Sequence, residues 1–154
     1  MGMDVHGLNP KENKNKRGEY FRNNCWWWRP LWNYCYAVAD DLISEELYES
    51  GHSNSGAGLD AYNAERLGQR LLEEINNGKT IEYQAQYQQY LDDIPDDDCL
   101  ICNNNNHGHN KKKDCNRCEG KGTTKSFKSN YPFHVENVKA FAEFCIESGG
   151  FEIW

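Results

Sequence analysis

Asp60-Ala-Tyr-Asn-Ala-Glu-Arg-Leu-Gly-Gln-Arg-Leu-Leu-Glu-Glu-Ile-Asn-Asn-Gly78 reads as a helix marked at both ends. The Asp60 carboxylate can accept from the first free amides, and Asn77-Gly78 supplies a left-handed stop. Between them Ala64, Leu67, Leu71 and Ile75 recur at helical spacing, which gives one apolar face. The next segment repeats the logic: Thr80 can cap a helix with Tyr83, Tyr87, Tyr90, Leu91 and Ile94 on one face, and Pro95 closes it. Upstream, Pro30 stands where a helix can begin. Leu31, Tyr34, Cys35, Val38 and Leu42 follow at helical spacing, and the end is expected near Ser50-Gly51. Downstream, Val138, Phe141, Ala142 and Cys145 form the inner face of a helix from about His134 to Ser148, ended by Gly149-Gly150. The expected fold is therefore mainly α, with about four helices.

Short strands are expected at the two ends. Residues 3–8 and 151–154 alternate weakly, and their pairing would tie the termini together, so an α+β arrangement stays open. Residues 9–24 are polar and basic and read as a loop, and residues 51–58 have linker composition. The whole chain, residues 1–154, is expected to form a single domain.

Between the third and fourth helices lies an insertion of another kind. Cys99-Leu-Ile-Cys102 and Cys115-Asn-Arg-Cys118 form a double C-x-x-C pattern with twelve residues between the pairs. Two-residue spacing lets both thiolates of a pair reach one ion, and two such turns complete a tetrahedron. Cys118 is followed by Glu-Gly-Lys-Gly122. Glycine at those positions accepts positive φ and turns backbone N–H groups toward the sulfurs. Residues 99–122 are thus expected to be an inserted zinc-binding module with one structural zinc ion on Cys99, Cys102, Cys115 and Cys118. Two disulfides, four ordinary thiols, or iron in the same ligand set are the competing readings. His107 and His109, between the pairs, are alternative ligands. The other cysteines (25, 35 and 145) read as small core hydrophobes.

The paired turns resemble the cysteine-rich zinc domain of DnaJ-type co-chaperones. The resemblance covers residues 99–122, has two turns where that family has four, and matches in full only at the second. The His-Pro-Asp tripeptide of that family's J domain is absent. The resemblance implies zinc binding and not co-chaperone activity. Over nearly its whole length the chain also looks like a group of small uncharacterised phage and prophage proteins. The matching segments are Met1-Gly-Met-Asp-Val-His-Gly-Leu-Asn-Pro10, Gly18-Glu-Tyr-Phe-Arg-Asn-Asn24, Trp26-Trp-Trp-Arg-Pro-Leu-Trp32, the two cysteine turns, Tyr131-Pro-Phe, Val135-Glu-Asn-Val138 and Ser148-Gly-Gly-Phe151. That resemblance brings no activity. It implies a phage accessory protein acting in the cytoplasm of a host bacterium.

Composition explains why a staple matters. Leu, Ile, Val and Phe make only 27 of the 154 residues, and the net charge is −7, near the composition of disordered chains. Nine Tyr and five Trp pull it back, since each aromatic buries roughly 150–250 Å². No run approaches the ~20 apolar residues of a membrane span, and residues 1–17 lack the apolar stretch of a signal peptide, so a cytoplasmic address is expected. There, cysteine pairs favour metal over disulfide.

Two surfaces are candidates for partners. Trp26-Trp27-Trp28-Arg29 sets three indoles in a row, which on a helix spread over about 200° and cannot all face one core. Trp and Arg are the residues favoured at binding hot spots, so Trp26, Trp27, Trp28 and Arg29 form a candidate protein-binding surface. Its competitor is an aromatic mini-core. The second candidate is the basic stretch 111–128, where Lys111, Lys112, Lys113, Arg117 and Lys121 could contact phosphates as a zinc-ribbon-like nucleic-acid module. A solvated loop balancing the acidic stretch 40–98 is the plainer reading.

Catalytic signatures are missing. His134-Val-Glu136 has the H-x-E form of zinc deaminases but follows the cysteines instead of preceding them, and four thiolates leave no open position. No phosphate-binding loop, nucleophile elbow or zinc-protease motif occurs. The expected function is a non-enzymatic, zinc-stabilised phage accessory protein that binds, and plausibly inhibits, a host protein.

Overall fold

A computed structural model describes residues 2–103 and 115–154. The chain forms two compact units, one of residues up to Gln88 together with Tyr131–Trp154, the other Gln89–Asn130.

In the first unit a four-stranded antiparallel sheet has the order β2-β1-β6-β3. The strands are β1 (Gly2–Gly7), β2 (Tyr20–Asn24), β3 (Ala57–Asp60) and β6 (Gly150–Ile153). The ends of the chain do pair: Val5 lies opposite Ile153, His6 opposite Glu152 and Gly7 opposite Phe151. Asp4 and Trp154 extend the ladder by exchanging two backbone hydrogen bonds of 2.7 Å. Met3, Val5, Leu59, Phe151 and Ile153 face the core from the sheet.

Against it lie α1 (Cys25–Val38), α2 (Glu45–Ser50), α3 (Ala61–Asn76) and α6 (Val135–Glu147). The helix α4 (Lys79–Asp93) starts in this unit and continues into the second. With the short α5 (Leu100–Asn103), six helices occur among the described residues, four of them long. The fold is mainly α with short antiparallel strands, as the periodicity indicates. Its core is aromatic: Trp28, Trp32, Phe141, Phe144 and Phe151 are its largest fully buried side chains. Among the described residues no helix is long and apolar enough to cross a membrane.

Helix α3 follows its sequence closely. Asp60 caps it by accepting from the Asn63 amide, Ala64, Leu67 and Leu71 are buried, and Gly78 turns the chain at φ 79°. The α6 face of Val138, Phe141, Ala142 and Cys145 is likewise buried.

Elsewhere local chemistry displaces the expected boundaries. The first helix starts at Cys25 because the Asn24 side chain accepts from the Trp26 and Trp27 amides, which leaves Pro30 inside the helix. It stops at Val38, and Ser44 starts α2 afresh by accepting from the Leu47 amide. Thr80 is not a cap. Glu82 N–H donates to the Gly78 carbonyl instead, and Thr80 is buried within α4 with its hydroxyl 2.9 Å from that of Tyr34. The loop expected over residues 9–24 ends in the edge strand β2, and the expected linker over residues 51–58 runs into β3.

Candidate functional site

The second unit brings the four cysteines together. A two-residue ladder pairs β4 (Asp97–Asp98) with β5 (Thr123–Thr124), and Cys99 N–H donates to the Gly122 carbonyl at 2.9 Å. This clasp sets the start of the first C-x-x-C turn against the end of the second. The first turn continues into α5, which carries Cys102. The second folds on itself, with Glu119 N–H bonded to the Cys115 carbonyl at 2.8 Å and Lys121 N–H to that of Cys118 at 2.9 Å. Gly120 and Gly122 adopt φ of 82° and 77°, the conformation expected of glycine there. Gly122 N–H points at Cys118 Sγ from 3.3 Å.

All four sulfurs lie within 4.8 Å of one another. Cys99 and Cys115 Sγ are 3.7 Å apart, and Cys102 and Cys118 Sγ 3.4 Å. A tetrahedron with metal–sulfur bonds of ~2.3 Å has edges of about 3.8 Å, whereas a disulfide requires about 2.05 Å. The spacing fits four ligands around one ion and does not fit bonded sulfurs; all four thiols are free. Cys99, Cys115 and Cys118 are buried and Cys102 half-buried.

Local electrostatics favour thiolate at Cys115 and Cys118. Backbone N–H groups of Cys118 and Arg117 hold the Cys115 thiol down at about 6. Burial pushes the Cys118 thiol up, but the amides of Gly122 and Gly120 and the Cys102 thiol outweigh it, and its net shift is downward. Cys102 moves up because its proton is shared with Cys115 and Cys118. Such a cluster can hold one metal ion. Four thiolates suit zinc, and iron accepts the same set.

The basic candidates fall in two groups. Arg117 and Lys121 are exposed and line a surface depression with Lys125, Asp96 and Glu119. Lys125 is paired with Asp96 at 3.4 Å, so acids of the same unit offset part of this charge. Lys111, Lys112 and Lys113 lie outside the described residues, as do His107 and His109.

The tryptophan run sits at the start of α1 in the first unit, and its members have different surroundings. Trp28 has no exposed surface: it stacks on Trp32 at 5.4 Å, meets Phe141 edge-on, and donates its indole N–H to the Gly51 carbonyl at 2.8 Å. It is a core residue, which removes it from the candidate partner surface. Trp26 and Trp27 are half-buried and Arg29 exposed. Each meets a residue just before or at the start of α6. Trp26 lies 4.9 Å from the Tyr131 ring, Trp27 lies 5.2 Å from His134, and Arg29 donates to the Tyr131 hydroxyl at 3.2 Å.

Beside Trp27 a shallow depression of about 480 Å³ is lined by Asn23, Trp27, His134, Glu136, Asn137 and Ala140. Sequence reading offered no role for Asn23, Tyr131 or Asn137. They reach this face from segments a hundred residues apart, and no local pattern encodes such a meeting.

Comparison of the chain with protein-family models, with curated proteins and with solved structures returns no match.

Proposed function

We propose that this is a non-enzymatic accessory protein. Its second unit is folded around one structural zinc ion on Cys99, Cys102, Cys115 and Cys118, and the Trp26–Trp27–Arg29 face of its first unit engages, and thereby inhibits, a protein of a host bacterium. The observation that carries this reading is the four-sulfur cluster at tetrahedral spacing. With four thiolates in place the ion has no open position for water or substrate, so the metal stabilises rather than reacts. Such sites contribute roughly 10–16 kcal/mol in small zinc peptides, and that free energy is folding free energy. A chain this poor in aliphatic residues gains most from it.

Support for a protein partner comes from the half-buried indoles beside exposed Arg29, the residue types that dominate binding hot spots. The resemblance to phage proteins supplies the host setting and the cytoplasmic address. A nucleic-acid module built on Lys111, Lys112, Lys113, Arg117 and Lys121 is the second reading, and Arg117, Lys121 and Lys125 around one depression favour it. Asp96 and Glu119 in that same depression weigh against it.

The test is affinity capture from bacterial lysate with the wild-type chain, Trp27→Ala, and a double Arg117→Ala, Lys121→Ala variant. The expected result is one stoichiometric protein that survives high salt and is lost with Trp27→Ala while metal content stays unchanged. Nucleic acid that elutes with salt and is lost with the double variant would replace this reading by the second.

A further inference from the structure

We infer that the depression beside Trp27 receives a guanidinium group, that is, an arginine side chain presented by the partner protein. The inference rests on the proposed partner face and adds the chemistry it recognises. Three observations converge on it. The first is charge. Glu136 is the one carboxylate among the lining residues, no Lys or Arg lines the depression, and the chain as a whole carries −7. The Glu136 side chain is 87% exposed, and its one ion-pair neighbour among the described residues is His134 Nδ1 at 4.0 Å. No strong cation of this chain competes for that carboxylate among the described ion pairs.

The second observation is aromatic surface. Trp27 contributes an indole and His134 a second ring 5.2 Å away, tilted by 40°. An indole face is the best cation–π acceptor among side chains, and a planar guanidinium stacks on it. Arg29 does not fill this role, because its own guanidinium is engaged with Tyr131, over the ring at 5.9 Å and bonded to the hydroxyl.

The third is the pattern of acceptors. Asn23, which lines the depression, uses its amide N–H on the Asn137 side-chain oxygen at 3.1 Å, and its own side-chain oxygen has no partner among the described hydrogen bonds. A carboxylate and an amide oxygen suit the several N–H donors of a guanidinium fork better than the point charge of an ammonium. A carboxylate ligand would meet Glu136 as a like charge, and an aliphatic side chain would use neither acceptor.

The test is an NMR titration of the full-length, zinc-loaded protein with four blocked amino acids: N-acetyl methylamides of arginine, lysine, leucine and glutamate. The expected result is saturable movement of the Trp27 indole N–H and the Asn137 amide with the arginine compound. Binding should be about tenfold weaker for the leucine and glutamate compounds. Glu136→Gln should weaken the arginine compound severalfold and Trp27→Ala should abolish its effect, with the remaining amide spectrum unchanged as the control for folding. Equal or stronger binding of lysine, leucine or glutamate, no response to any of the four, or an unaltered arginine titration in Glu136→Gln would overturn the inference. Those outcomes leave the partner-face reading standing, since it fails on a different result: protein capture indifferent to Trp27→Ala, or capture of salt-labile nucleic acid in place of a protein.

Discussion

Trp26, Trp27 and Trp28 are consecutive, yet a helix turns each by about 100° from the last, and that rotation assigns them different work. Trp28 points inward, where it is fully buried and its indole N–H satisfies the Gly51 carbonyl. Its replacement by Ala is expected to cost about 3–5 kcal/mol in a denaturant titration, through lost burial and a cavity. Trp27→Ala, at a half-buried position on the rim, is expected to cost about 1 kcal/mol. Equal costs for the two would contradict the division between core and surface. The sequence alone says that three adjacent indoles diverge. It does not say which one faces in, because that depends on where the helix starts, and Asn24 sets the start through two side-chain hydrogen bonds to Trp26 and Trp27 amides. Proline at position 30 is a legitimate helix opener, and its presence inside α1 is the reason for the misplaced boundary.

Between elements, α3 and α6 approach closely at Gly68. A Cβ there would stand 2.5 Å from the Ala142 carbonyl oxygen and 2.7 Å from Ile146 Cγ1. Ala is the better helix former by about 1 kcal/mol, but the clash is with backbone and cannot be relieved by a rotamer. Gly68→Ala is therefore expected to destabilise the protein by about 1–3 kcal/mol despite the gain in propensity, as read from the denaturation midpoint. Gly122→Ala meets nothing within 4 Å among the described residues and carries the backbone strain of its φ of 77°, so its expected effect is a weaker metal complex with the first unit untouched. Helix α3 was legible from its cap and stop at Asp60 and Gly78 and its apolar stripe, α6 from its stripe alone, and the pairing of the two ends from their alternation. Strands β2 and β3 were not, because both are edge strands. Tyr20–Asn24 is half exposed, and Ala57–Asp60 carries Gly58, whose Cβ would sit 1.7 Å from the Phe151 carbonyl oxygen. Their polar and small residues look like loop until a neighbouring strand supplies hydrogen bonds.

At the scale of the molecule, the two units depend on different physics. The first has the aromatic core and all five tryptophans, while in the second the four cysteines form a cluster of their own among the described residues. Chelation of the metal under reducing conditions is therefore expected to remove structure from the second unit while tryptophan fluorescence and near-ultraviolet dichroism of the first persist. A cooperative loss of both signals would contradict this. Acidification should act the same way, since protons compete with the ion for thiolates and affinity falls as pH falls. The cysteine spacing was legible because two-residue turns encode ligand geometry locally; the depression beside Trp27 was not, because it is assembled from Asn23, His134 and Asn137 across the fold. The measurement that bears most directly on the account is the metal content of the chain purified under reducing conditions, by elemental analysis and native mass spectrometry, for the wild type and for Cys99→Ser and Cys118→Ser. One zinc per wild-type chain, lost in either variant, is the predicted result. A metal-free chain with intact structure in its second unit, or zinc retained in both variants, would contradict it.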